Sequence, residues 1–326
     1  MVAKINWFHD LTGLASDDPA TVRAGISAEE TTLVCRANGR RMQAGRLMMP
    51  SLAGLPVPPA GPNRLRVREV IGDVQALHRD PDNAGAVFQV ASQFNLLEMA
   101  RPDVTLEQGI ARYAGDPTQG PACAMACAAG TIWRNYLVPV AGQTGQSAAQ
   151  QLDMLADFGA ALGNQDGQLW RMVNGYVRPQ PGGLARVAKR LAGGNQAELR
   201  ALVRVGVQRD TEVTMDNAGH LVSQVYCSAL PVAYADERVD DWAPFARLIL
   251  EAAYLATLAI AAENARLTGN RRLYLTRLGG GAFGNPARWT TDAMATALSV
   301  YASADLDVGI VSHRNPDAAN LALLRG

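Results

Sequence analysis

Two hydrophobic periods alternate along most of the chain. From residue 64 onward, short apolar runs are separated by turn residues: "RLRVREV" (64–70) reads as a strand, "VQALH" as a short helix, and "AGAVFQVAS" (84–92), apolar and β-branched, as a buried strand. The pattern then predicts helical regions at roughly 121–136 and 146–162, and strands at 201–208 and 221–229. In "PFARLILEAAYLATLAIAAENA", Phe245, Leu248, Ile249, Ala252, Leu255, Ala256 and Ala259 recur at 3.6-residue spacing, which predicts a firm helix. A strand at 272–278, a helix over about 289–299 and a last strand at 306–312 complete the series. Strands alternating with helices argue an α/β fold with a mainly parallel sheet between helices. Before residue 64 the pattern is irregular, with one hairpin in "TTLVCRANGRRMQAGRLMM" turning at Asn38-Gly39 and a proline-rich connector, "PSLAGLPVPPAGPN". The expected organisation is an N-terminal extension, 1–63, packed on a core domain, 64–326.

Charge narrows the partners. The 326 residues carry 30 basic and 30 acidic side chains, so neither nucleic acid nor a membrane surface is expected as the main partner, and a small ligand is. The opening "MVAKINWFHDLTGLASDDPA" lacks the apolar core of a secretory leader, and "LILEAAYLATLAIAAEN" (248–264) is interrupted by Glu251. A soluble, cytoplasmic protein is expected. Of Cys35, Cys123, Cys127 and Cys227 only the middle two are close in sequence. Two thiols do not make a zinc site, so the cysteines read as buried apolar residues, and neither a metal nor a cofactor is expected.

The candidate chemistry begins at "LYLTRLGGGAFGNP" (273–286), where an apolar strand gives way to three consecutive glycines. Gly279, Gly281 and Gly284 formally satisfy G-x-G-x-x-G, but only about forty residues follow, and Asp305 precedes the next strand where a ribose-binding acid should end it. A P-loop fails as well, because no Lys-Ser or Lys-Thr follows. What remains is a neutral loop whose N–H groups, backed by a helix N-terminus, can hold a pyrophosphate, or a tight turn whose glycines serve packing alone.

The order of these elements resembles the macrodomain family, modules that bind ADP-ribose. "EVIGDVQAL" (69–77) is similar to that family's Gly-Asp-hydrophobic step, which implies contacts to adenine from Gly72, Asp73 and Val74. "AVFQVASQFN" (86–95) resembles the strand that ends beside the distal ribose, implying Ala91, Ser92 and Asn95. "LVSQVYCSALPVAY" (221–234) resembles the strand before the family's long helix, and "LGGGAFGNP" its second phosphate loop: Gly279, Gly280, Gly281, Ala282, Phe283, Gly284 and Asn285, with Phe283 against the distal ribose. The resemblance covers roughly 64–313 and implies a three-layer α/β/α mixed sheet.

The chain departs from that family after Asn95, where "NLLEMARPDVTLEQGIARYAGDPTQGPACAMACAAG" replaces the usual glycine-rich first loop. The family's catalytic carboxylate therefore has no counterpart to carry over, and the enlarged loop supplies acids of its own. Glu98 lies just beyond the ribose-side asparagine, and Asp116 precedes a turn in which Thr118 can cap a small-residue helix with Gln119 and Gly120 at its mouth. Asp210, with Glu212, closes a strand. Each has a plain alternative: a solvated or paired carboxylate for Glu98, an Asx-turn for Asp116, an exposed strand end for Asp210. A carboxylate at the anomeric carbon would stabilise positive charge on the ribose or activate water, and would also receive a guanidinium. The expected function is thus an ADP-ribosyl-hydrolase acting between ADP-ribose and a protein side chain, arginine suiting the acids, with Asp116 the preferred catalytic residue. ADP-ribose or an ADP-ribosylated protein would be its partner. A non-catalytic ADP-ribose reader and a structural or assembly protein are the rivals.

Overall fold

The computed structural model describes residues 6–318 and residue 320. Among these, seven strands form the main sheet: β1 (Arg46–Met48), β2 (Arg66–Ile71), β3 (Val87–Ala91), β4 (Gly206–Glu212), β5 (Leu221–Cys227), β6 (Arg272–Leu275) and β7 (Asp307–Ser312). Its helices include α1 (Val74–Arg79), α2 (Gln119–Ala126), α3 (Val239–Thr268) and α4 (Ala287–Val300). The strand order is β1-β4-β5-β3-β6-β7-β2, parallel from β5 to β2 and antiparallel where β4 joins β5 and β1. The chain is therefore a mixed α/β sheet flanked by helices.

Successive residues of a strand point to opposite faces, and β3 shows which helices lie where. The Phe88 ring stacks on His78 of α1 at 3.8 Å, while Gln89 Nε2 donates to Thr257 Oγ1 of α3 at 2.9 Å. So α1 and α3 cover opposite faces. α2 joins α1 on the first face, where Gln224 Nε2 donates to the Cys123 carbonyl at 3.0 Å and to His78 Nε2 at 3.1 Å. α4 packs along α3 on the second. The apolar stretch of α3 is long enough by length and composition to cross a bilayer, yet 83% of it is buried inside the fold.

Three expectations are corrected. The strand expected at 201–208 is Gly206–Glu212, and the residues before it form a helix, Gln196–Ala201, capped by the Asn195 side chain. Of the helix expected at 146–162 only Ala156–Ala161 is helical, since the stretch before it is occupied by side-chain bonds such as Gln146 Nε2 to the Asn95 carbonyl, 2.9 Å. The region 121–136 breaks at Cys127 into α2, a short helix Ala128–Ile132 and a π-helical turn Trp133–Leu137. The long helix and the last strand lie where the periodicity puts them.

Residues 6–63 do two things for the rest of the chain. β1 is the edge strand of the main sheet. A small sheet of Ile26–Glu29, Thr32–Cys35 and Arg41–Gln43, with its turn at Asn38-Gly39, packs Leu33 and Met42 with Phe8 and Val22 against Leu97, Met99, Tyr113 and Ile132. Trp7 Nε1 donates to the Ala111 carbonyl at 3.0 Å, and Arg23 Nε to that of Tyr136 at 3.0 Å. The N-terminal segment thereby clasps the enlarged loop that follows β3.

Candidate functional site

A crevice opens where β3 and β6 part. Their pairing ends at Tyr274 opposite Phe88, because the chain leaves β3 toward α2 on one face and β6 toward α4 on the other. Ligand crevices of open α/β sheets form at the carboxyl ends of strands that diverge in this way. The edge of β3 left bare by β6 is covered by one side chain: Gln119 Nε2 donates to the Gln89 carbonyl at 2.9 Å, and the Ala91 N–H donates to Gln119 Oε1 at 2.8 Å. Gln119 thus imitates a strand at the mouth of α2. Gly120 beside it has to be glycine, since a Cβ there would sit 2.0 Å from the Ala91 carbonyl oxygen.

The crevice is a cavity of about 290 Å³, near the lower end of ligand pockets. From the enlarged loop and α2 it takes Ala91, Ser92, Glu98, Asp116, Thr118, Gln119 and Gly120; from the glycine loop it takes Gly279, Gly281, Ala282 and Phe283. All were expected ligand or catalytic positions, and the fold brings them to one space although they span nearly two hundred residues.

Glu98 is fully buried, and both its oxygens are occupied. The Ser92 hydroxyl donates to Oε1 at 3.0 Å, and Arg134 Nη2 to Oε2 at 2.7 Å. Arg134 is also fully buried, placed by the π-helical turn; it lies 4.1 Å from the Tyr226 ring centroid, and it donates to the Leu96 carbonyl and to the Thr131 and Tyr226 hydroxyls. Burial pushes the Glu98 carboxyl up from its ordinary value, against the pull of Arg134 and Ser92. Asp116 differs. It is half-buried, and its Oδ1 accepts from the Thr118 N–H at 2.9 Å and the Thr118 hydroxyl at 2.6 Å, an Asx-turn that leaves Oδ2 without a hydrogen-bond partner among the described residues. Thr118 is the N-cap of α2 by position, but its hydroxyl serves Asp116 instead of the helix.

On the opposite wall the loop 276–285 folds with few internal bonds. Gly284 N–H donates to the Gly281 carbonyl and Asn285 N–H to that of Gly279, while the N–H groups of Gly279, Gly281, Ala282 and Phe283 meet no acceptor among the described residues. The same holds for Gln119 and Gly120 at the start of α2. Gly279 and Gly284 have φ of 71° and 69°, and a Cβ on either would strike a neighbour; a Cβ on Gly281 would meet nothing within 4 Å. The outer glycines therefore shape the loop, and the middle one keeps the cavity open.

Other expected positions fall outside the lining. Gly280 belongs to the loop but not to the wall, and Asn285 ties the loop back through Nδ2 to the Leu230 carbonyl, 2.8 Å. Gly72, Asp73 and Val74 follow β2 at the sheet edge, where the Asp73 carboxylate accepts from Ala76 N–H at 2.9 Å and so caps α1. Asn95 points away into a buried amide network with Gln151 and Asn174. Asp210 is displaced furthest: β4 runs antiparallel to β5, so its late residues lie beside the beginning of β5, at the end of the sheet opposite the cavity. It sits there in a bulge with φ of 55°.

The cavity also contains residues that sequence reading missed. Tyr176, Tyr234 and Phe283 form an aromatic cluster with ring centroids 5.3 to 5.7 Å apart. Burial, and then the nearby Asp116, raise the Tyr234 hydroxyl. Tyr176 had a signal: the Asn174-Gly175 pair in "WRMVNGYVRP" is a hairpin turn, and it joins Trp170–Val173 to Tyr176–Pro179. Nothing local marks Tyr234 or Arg277. Cys227 lines the floor, but burial pushes its thiol up to about 12, so it stays protonated at neutral pH. Among the described residues no three His, Cys, Asp or Glu side chains gather as a metal-ligand set.

No protein-family model matches the chain, and no curated protein does. Solved structures to which it is similar include the poly(ADP-ribose) glycohydrolase of Thermomonospora curvata, at 14% identity over 97% of this chain and 99% of that one with a TM-score of 0.45. The same protein bound to the inhibitor ADP-HPD gives 15% identity over the same shares and a TM-score of 0.46. The poly(ADP-ribose) glycohydrolase of Deinococcus radiodurans in complex with ADP-ribose gives 12% identity, 81% and 84% coverage, and a TM-score of 0.43. At such identities no residue role passes from one chain to the other.

Proposed function

We propose that the cavity binds ADP-ribose and that the protein is an ADP-ribosyl-hydrolase, releasing ADP-ribose from a side chain to which its distal ribose is joined. The observation that carries this reading is that Gly279, Gly281, Ala282 and Phe283, whose N–H groups meet no acceptor among the described residues, line one cavity with Asp116 and the start of α2. Unpaired N–H groups in a turn, opposite a helix N-terminus, are suited to the oxygens of a diphosphate. ADP-ribose is also what the Deinococcus radiodurans structure holds, but the proposal rests on the cavity itself.

Of the two carboxylates, Glu98 serves as structure, because Arg134 and Ser92 occupy both oxygens. Asp116 is the catalytic residue of the proposal. Its Oδ2 takes a proton from water as the water oxygen bonds to the anomeric carbon; the bond from that carbon to the side-chain nitrogen breaks, and the proton passes from Asp116 through solvent to the leaving guanidine, restoring the carboxylate. Thr118 fixes Oδ1, so the carboxylate is oriented before substrate arrives.

Asp116→Asn keeps the shape and removes the base. It is expected to lower single-turnover release of ADP-ribose from ADP-ribosyl-arginine by roughly a hundredfold, while ADP-ribose still binds. Unchanged release in the variant removes Asp116 from the chemistry. ADP-ribose binding with no release by the wild-type protein makes this a reader, the role that the full engagement of Glu98 would then suit.

A further inference from the structure

Of the residues that line the cavity, three are charged: Glu98, Asp116 and Arg277. Glu98 is neutralised by Arg134, so Arg277 is the cation on the wall facing Asp116. Its backbone is held on both sides by one hydroxyl: Tyr254 Oη donates to the Thr276 carbonyl at 2.7 Å and accepts from the Leu278 N–H at 3.0 Å. Thr290 Oγ1 donates to the Leu278 carbonyl at 3.0 Å. The backbone that carries the guanidinium is therefore fixed directly before the glycine loop. Arg277 Nη1 pairs with the Asp317 carboxylate, while Arg277 Nε is buried and has no hydrogen-bond partner among the described residues.

That partner comes from the far end of the chain. Asp317 follows β7, and its N–H donates to Glu69 Oε1 at 2.7 Å, an oxygen that also accepts from the Ser312 hydroxyl at 2.6 Å. A carboxylate presents to a guanidinium two oxygens with the same charge and similar spacing as two oxygens of a phosphate, and arginine binds both in the same forked manner. Arg277 is thus engaged by a phosphate-like group of the protein itself, two residues before Gly279, the first of the four glycine-loop N–H groups that meet no acceptor among the described residues.

We infer that Arg277 contacts the diphosphate of the ligand, and that Asp317 is its intramolecular competitor, giving up the guanidinium when the diphosphate enters. The inference rests on the reading of the cavity as an ADP-ribose site and adds to it a device that sets affinity: binding requires one ion pair to be exchanged for another, so the C-terminal segment tunes how tightly a diphosphate is held. A ligand without phosphate gains nothing from the exchange.

The test is titration calorimetry of the full chain with ADP-ribose, inorganic pyrophosphate and adenosine, comparing wild type, Arg277→Gln and Asp317→Asn, with melting temperature as a check on folding. Arg277→Gln is expected to weaken ADP-ribose and pyrophosphate by about tenfold or more, the scale of a charge-assisted contact, and to leave adenosine unchanged; Asp317→Asn is expected to tighten the two diphosphates severalfold. Wild-type affinity for ADP-ribose and pyrophosphate in a folded Arg277→Gln overturns the contact. Unchanged or weaker binding in a folded Asp317→Asn overturns the competition. Should wild type bind pyrophosphate in an Arg277-dependent way but not ADP-ribose, the inference stands and the proposed function falls. Binding of neither by wild type sinks both.

Discussion

Along the wall of the cavity formed by 91–99 and α2, polar side chains answer one another: Ser92 to Glu98, Glu98 to Arg134, Arg134 to Tyr226, Gln119 to the edge of β3. Across the cavity, the loop 276–285 holds its shape with three internal backbone bonds, and the N–H groups of Gly279, Gly281, Ala282 and Phe283 meet no acceptor among the described residues. Both walls sit at the carboxyl ends of the same parallel strands. The difference lies in where polar groups find partners: one wall is satisfied from within, whereas the other leaves its donors open to water or to a ligand. Asp116, just before α2, has one oxygen bound and the other without a partner among the described residues.

The largest break in this contrast comes from removing one partner of the buried ion pair. Arg134→Ala leaves Glu98 charged and unpaired in the interior, and is expected to cost about 3–5 kcal/mol in chemical denaturation. An equal loss on replacing any residue of the glycine loop would abolish the distinction between the walls.

A second test acts on the support behind α2. His78 is wholly buried, its Nδ1–H donating to the Val74 carbonyl at 2.7 Å and its Nε2 accepting from Gln224, and burial lowers its pKa to about 4 from an ordinary value of 6.5. Because the folded value lies below the unfolded one, the unfolded chain binds the extra proton between pH 6.5 and 4, and stability falls as pH drops through that window. The expected contribution is about 3 kcal/mol by pH 4, from a shift of roughly two and a half units. His78→Gln is expected to flatten the dependence of denaturation midpoint on pH in that interval; an unchanged profile would mean that His78 titrates normally in the fold.

The smallest effects separate glycines of one loop. Gly279→Ala forces a side chain into the left-handed region and against Ala229 and Asn285, with an expected loss of about 2 kcal/mol. Gly281→Ala points its methyl into open space and is expected to change stability by less than about 0.5 kcal/mol, while weakening ADP-ribose binding in the same titration. Equal destabilisation by the two would mean that the whole loop is packing and none of it is a ligand wall.

The sequence by itself determined the elements whose periodicity is long or whose punctuation is strong: the long apolar helix α3, the buried strand β3, the glycine loop after β6 and the turn at Asn38-Gly39. These follow from local rules, since a stripe at 3.6 residues or an Asn-Gly pair favours one conformation wherever it stands. The same local reading proposed Glu98, Asp116 and Asp210, preferring Asp116 for the turn that follows it. Only the tertiary structure fixed their surroundings, because the direction in which β4 runs beside β5 sends Asp210 to the far end of the sheet, the π-helical turn brings Arg134 onto Glu98, and the Asx-turn holds Asp116 at the cavity with one oxygen unbound among the described residues. Likewise the bond between Arg277 and Asp317 joins residues forty positions apart. Strand direction and long-range pairing depend on how whole elements pack, so the chemistry of a carboxylate or a guanidinium is fixed by neighbours that its own stretch of chain does not contain.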